Sequence, residues 1–181
     1  DLRWSAMTEM VLPLGSWLAE LSDAQLVRLL ERRPDLAQPT PGSMAALAAR
    51  ASSRQSVKVA GDDLDFLRLA VLDALVGLGA DTRAVPVADL RDQVAAPPAD
   101  VAAAVDELRE RALVWGVDEL VIPAEAGAAL PWFPGQAADN SGLSADQVVA
   151  ALDALGNPEH DLLERLTTGS PVGRTRDAGP D

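Results

Sequence analysis

Apolar positions recur at helical spacing along most of the chain. Leu14, Trp17, Leu18 and Leu21 fall on one helix face, and Ser22-Asp23 can cap a second helix that carries Leu26, Leu29 and Leu30 until Pro34 ends it. Residues 39–42 read as a turn, Ser43 as the cap of a helix over 44–51, and Ser52-Ser53 as a restart into 54–60. Asp62-Asp63 is expected to open a long helix with Leu64, Leu67, Ala70, Val71, Leu75 and Leu78 inward, ending at Gly77 and Gly79. Pro86 sits in the first turn of a short helix to Val94, with Val87, Leu90 and Val94 apolar. Pro97-Pro98 opens a third helix to Ala112 that buries Val101, Val105, Leu108 and Ala112. The period then changes. Residues 113–117 and 120–123 are short apolar runs parted by Asp118-Glu119, the pattern of a β-hairpin whose Trp115, Leu120 and Ile122 would close the core.

Three helices followed by a β-hairpin is the order of a winged helix-turn-helix. The expected fold class is mainly α, with a helical N-terminal bundle in residues 1–60 and a winged helix-turn-helix with a small β-hairpin in 61–138. Residues 139–181 would begin a further helical or winged-helix unit. Between them, residues 123–142 read as a loop with Trp132 and Phe133 as aromatic anchors. Ser144 caps a helix carrying Val148, Val149, Leu152 and Leu155, and Asn157-Pro158 starts another with Leu162, Leu163 and Leu166, which stops at Gly169. The pattern of residues 72–75 and 85–92 is weakly echoed in 162–166 and 171–177. That last unit therefore reads as truncated and the chain as a fragment, with Met7-Thr8 an alternative native start.

Composition agrees with helix packed on helix: of 181 residues 48% are apolar and only 3% aromatic. All bases but Lys58 are arginine, which reads as base-composition bias. Formal charge is −13, unevenly spread: residues 1–99 hold 13 acids and 10 bases, residues 100–181 hold 15 acids and 5 bases. Such a surface repels phosphate backbones. The chain has no cysteine, which excludes disulfides and thiolate metal sites and fits a reducing cytoplasm, the expected location. No apolar run approaches the ~20 residues that cross a bilayer, and no signal-peptide pattern is visible, so no membrane role is expected.

Candidate chemistry is sparse. Lys58 stands between two valines and not in a Gly-Lys-Ser/Thr loop, which removes a P-loop. His160 is the only histidine, so a multi-histidine metal site cannot form, and a solvated position in a first helical turn is expected for it. Asp62-Asp63 and Asp106-Glu107 are adjacent in sequence and point apart on a helix. No catalytic, cofactor-binding or metal-binding residue is assigned, and no enzyme activity is expected. For nucleic acid the candidates are Arg28, Arg32 and Arg33, which equally suit a helix C-terminus, and Arg50, Arg54 and Lys58, a stripe if their two helices are continuous. On the third helix only Arg109 and Arg111 could reach a groove, beside Asp100, Asp106, Glu107 and Glu110.

The run from Trp17-Leu18 to Arg32-Arg33-Pro34-Asp35-Leu36, above all residues 29–37 (Leu-Leu-Glu-Arg-Arg-Pro-Asp-Leu-Ala), residues 45–54 (Ala-Ala-Leu-Ala-Ala-Arg-Ala-Ser-Ser-Arg), the winged-helix stretch and the tail at 170–178 resemble bacterial helicase-associated domain proteins. These are large chains related to accessory regions of XPB-type DNA repair helicases. The resemblance implies a helical N-terminal module, a winged helix, further domains beyond residue 181, and a DNA-repair or helicase partner. It transfers no catalytic residue. The expected function is a non-catalytic interaction module that docks a DNA repair helicase or its complex, with nucleic-acid contact weak or indirect. The alternative is a winged-helix DNA-binding regulator. Oligomeric state is not legible.

Overall fold

The computed structural model describes residues 11–131 and 144–168, and these are mainly helical. Short polar residues cap five of the described helices. After α1 (Leu14–Ala19), α2 (Asp23–Arg32) begins at Ser22, which forms a capping box with Gln25. A 3-10 turn, Pro34–Leu36, follows. Ser43 caps α3 (Met44–Ala51) and Ser53 caps α4 (Arg54–Asp62). Ser52 ends α3, so the two helices are not continuous and Arg50, Arg54 and Lys58 do not form one stripe.

α5 (Phe66–Gly77) corrects the expected start at Asp62-Asp63. Asp62 closes α4, Leu64 is buried in the connection, and Asp65 is the N-cap, accepting the Arg68 N–H at 3.0 Å. The break at Asp63-Leu64, with Leu64 buried, is one that acidic composition alone does not reveal. The helix ends at Gly79, φ +81°, in a Schellman motif: Gly79 N–H bonds Val76 O and Ala80 N–H bonds Leu75 O.

β1 (Val85–Pro86) was not expected, since two residues cannot display a period of two. It runs into α6 (Val87–Gln93), and α7 (Pro98–Glu110) follows. α7 stops short of Ala112, which adopts φ +51° and closes a second Schellman motif through Ala112 N–H to Arg109 O and Leu113 N–H to Leu108 O. The expected hairpin is present only in outline. Trp115 bridges Val121, and β2 (Glu119–Leu120) pairs antiparallel with β1, placing Val85 opposite Leu120 and Pro86 opposite Glu119. Gly116, φ +99°, makes the turn, where a Cβ would collide with the Glu119 carbonyl oxygen.

α8 (Ala126–Ala129) lies within the stretch expected to be loop and packs on α4. α9 (Ala145–Asp153) starts at Ser144 with a second capping box to Gln147, and α10 (Asn157–Thr168) lies against α5. The Trp132 and Phe133 anchors and residues 170–178 fall outside the described residues.

Two apolar clusters interlock. One gathers Leu69, Leu72 and Leu75 of α5 with Leu90, Val105, Leu108, Leu120 and Ile122, and takes Val57 and Ala60 from α4. The other holds Leu14, Leu18, Leu29, Leu36 and Leu47 together with Ala112 and Trp115. Trp115 therefore closes the N-terminal cluster and not the core expected for it, and its Nε1 donates to Leu12 O at 2.9 Å. Trp17 and Leu21 pack at the edge of the cluster that contains Leu29. Because Trp17 is only half-buried, Trp17→Ala should cost about 1–2 kcal/mol, below the full value for a buried aromatic. A melting temperature unchanged from the parent would contradict this packing.

Candidate interaction surface

The outer face of α7 is the part of this fold that a nucleic acid or a protein partner would meet if α7 served for recognition. α2 crosses it. Arg32 Nη2 lies 2.8 Å from Glu110 Oε2, and its Nη1 lies 3.4 Å from Glu107 Oε1. Arg28 Nε is 3.9 Å from Glu110. From α5, Arg68 donates to both Glu107 and Asp65, while Arg111 Nη2 is 3.9 Å from Glu107. Glu107 thus sits among three guanidinium groups, from α2, from α5 and from the C-cap of α7. Two of the carboxylates that oppose phosphates on sequence grounds are already partnered by arginines of neighbouring helices.

This makes Glu107 structural. Glu107→Gln should destabilise the chain by about 1–2 kcal/mol, because charge-assisted hydrogen bonds to arginine are lost from a mostly buried site. Denaturant titrations should show the difference shrinking at high salt, since the residual exposure leaves the site open to screening. A difference of zero at low salt would contradict the assignment.

Arg33 behaves unlike its neighbour Arg32. It is fully buried, where its Nη1 donates to Arg111 O at 3.1 Å and its Nη2 to Ala51 O at 3.2 Å and to the Ser56 hydroxyl. Ser56 in turn donates to Asp35, whose Oδ2 is 3.5 Å from Arg33 Nη2. Burial pulls the Arg33 guanidinium below its ordinary value; Asp35 opposes that through charge and hydrogen bonding, and Arg111 adds to it. One side chain so ties the end of α2 to the last residue of α3, to α4 and to the C-cap of α7. Among the described residues, Nε of Arg33, Nε of Arg111 and Oδ1 of Asp35 are buried without a hydrogen-bond partner.

The remaining sequence candidates are placed differently. Arg109 turns back to the hairpin, donating Nε to Gly116 O at 2.9 Å and Nη2 to Val117 O at 3.0 Å, with Asp106 2.6 Å from Nη1. Arg111 is largely buried. Arg50 donates to Leu36 O at 2.9 Å and also to Pro39 O, and Lys58 pairs with Asp62 at 3.1 Å. Arg54 is exposed and has no ion pair or hydrogen bond among the described residues. Arg28, Arg32, Arg33 and Arg111 therefore meet where α2 crosses α7, while Arg50, Arg54, Lys58 and Arg109 do not join them. Glu107, Asp35 and Ser56 complete that junction, and sequence reasoning did not single them out for it.

An open depression of about 370 Å³ lies beside the sheet, lined by Val11, Asp81, Thr82, Arg83, Ala84, Glu119 and Val121. Thr82 Oγ1 and Arg83 Nη2 are directed to the Gly79 and Leu78 carbonyls, at 3.1 and 2.9 Å, so neither converges on a ligand position. Among the described residues no group of three or more His, Asp or Glu is placed to hold a metal ion, and no helix is long and apolar enough to cross a membrane. Compared with family models, curated proteins and solved structures, the chain matches none.

Proposed function

We propose that the chain is a non-catalytic interaction module of a cytoplasmic helicase-associated protein, docking a DNA repair helicase of the XPB type or its complex. The order α5, β1, α6, α7, turn, β2 supports reading residues 61–138 as a winged helix-turn-helix. The observation that carries the docking role is the closure of α7. Its Glu107 and Glu110 are engaged by Arg32 of α2, and Arg109 is engaged by the hairpin turn, so a duplex would meet carboxylates and no free basic side chain on that helix. The helicase itself comes from the sequence resemblance. The test is direct binding of the purified chain to an immobilised XPB-type helicase, with and without a DNA fork. Saturable binding supports the docking role, and its absence in both conditions overturns it. The order of elements also suits a winged-helix DNA-binding regulator, and tight duplex binding through α7 would favour that reading instead.

A further inference from the structure

α9 and α10 pose a packing problem. Neither helix has a described side chain that is buried, and helices of 9 and 12 residues are marginal when packing contributes little. Their apolar residues nevertheless keep helical spacing. Val148, Val149 and Leu152 lie on one face of α9 at 36%, 56% and 41% exposure, and Leu162 of α10 is 50% exposed. Singly exposed apolar residues are ordinary, but Val148, Val149 and Leu152 adjoin one another on a single face of α9 and make a surface there.

Charge says what would cover it. Between residues 144 and 168 there are five carboxylates against the single cation Arg165. On α9, Asp146 and Asp153 are seven residues apart and flank the apolar face on the same side. Like-charge repulsion disfavours a second copy of this chain, a nucleic acid and an anionic bilayer. A cationic segment with an apolar face satisfies both features of the surface at once.

We infer that the exposed face of α9, carrying Val148, Val149 and Leu152, docks a cationic amphipathic helix of a partner protein. The inference rests on the docking role proposed above and adds its location and the chemistry of the partner. Two synthetic peptides test it: an amphipathic helix of leucine and lysine about 18 residues long, five turns, and a twin with glutamate for lysine. Each is titrated into the whole 181-residue chain while amide chemical shifts are followed. The lysine peptide should saturate with shifts centred on α9, and the glutamate twin should bind at least about tenfold more weakly. Val149→Asp and Leu152→Asp lie at exposed sites that leave the cores intact, and each should weaken the lysine peptide about tenfold or more. Equal affinity for both peptides, or shifts centred elsewhere, overturns the inference. A dimer in sedimentation that Val149→Asp dissolves overturns it in favour of self-association. If an XPB-type helicase binds and neither substitution weakens it, the docking role stands and this location falls. If the lysine peptide binds as expected and the helicase does not, the surface stands and the helicase assignment falls.

Discussion

Arg33→Ala is expected to remove about 3–5 kcal/mol of stability, a large share of the ~5–15 kcal/mol typical of a folded domain. The substitution strips a donor from Arg111 O, from Ala51 O and from Ser56, and leaves Asp35 without its cation. Each loss is suffered inside the protein, where water cannot replace the partner. Arg33→Lys should recover little, because one ammonium cannot reach three acceptors arranged for a planar fork. Arg32→Ala is the control. Arg32 is more than a third exposed and its two pairs are screened, so its loss should cost about 1 kcal/mol or less. Thermal unfolding of the three variants followed by circular dichroism separates them, and equal losses for Arg33→Ala and Arg32→Ala would contradict the buried tie.

Trp115→Ala should cost a further class of packing, about 3–5 kcal/mol, as for other buried aromatics. The indole is 7% exposed and connects the hairpin to α1, α2 and α3 through the second apolar cluster. Trp115→Phe keeps most of the ring volume but loses the Nε1 bond to Leu12 O, so about 1–2 kcal/mol is expected from that change. Native-state amide exchange of Trp115→Ala should quicken in α1 and in the hairpin together. Protection lost from the hairpin alone would mean that the two units are not coupled through this side chain.

Local chemistry was legible in the sequence and tertiary coincidence was not. Ser22, Ser43, Ser144 and Gly79 act on residues within a turn of themselves, so caps could be read without knowing the fold. β1 was invisible because its two residues gain their strand character only from pairing with Glu119-Leu120. Ala112 could not announce a left-handed conformation, since its methyl group tolerates φ +51° only because the Schellman bonds and burial in the second cluster hold it there. Arg33 did leave a signal. It lies seven residues after Leu26 and four after Leu29, on the buried stripe of α2, while Arg28 and Arg32 lie four apart on the outer face. Three arginines close in sequence thus divide by helical phase into two at the surface, Arg28 and Arg32, and one internal tie, Arg33. Nothing in α7 itself indicates that α2 and α5 supply arginines to Glu107.

If α7 is closed by the protein's own charges, as proposed, it should not read DNA. The most direct measurement is a fluorescence-anisotropy titration of the chain into labelled duplex DNA at ~150 mM salt, where non-specific affinities are commonly about 1–100 μM. No saturation is expected below about 10 μM, because Arg28, Arg32 and Arg109 are committed to internal partners and the C-terminal half repels phosphate. Submicromolar binding accompanied by amide shifts along residues 98–110 would contradict it.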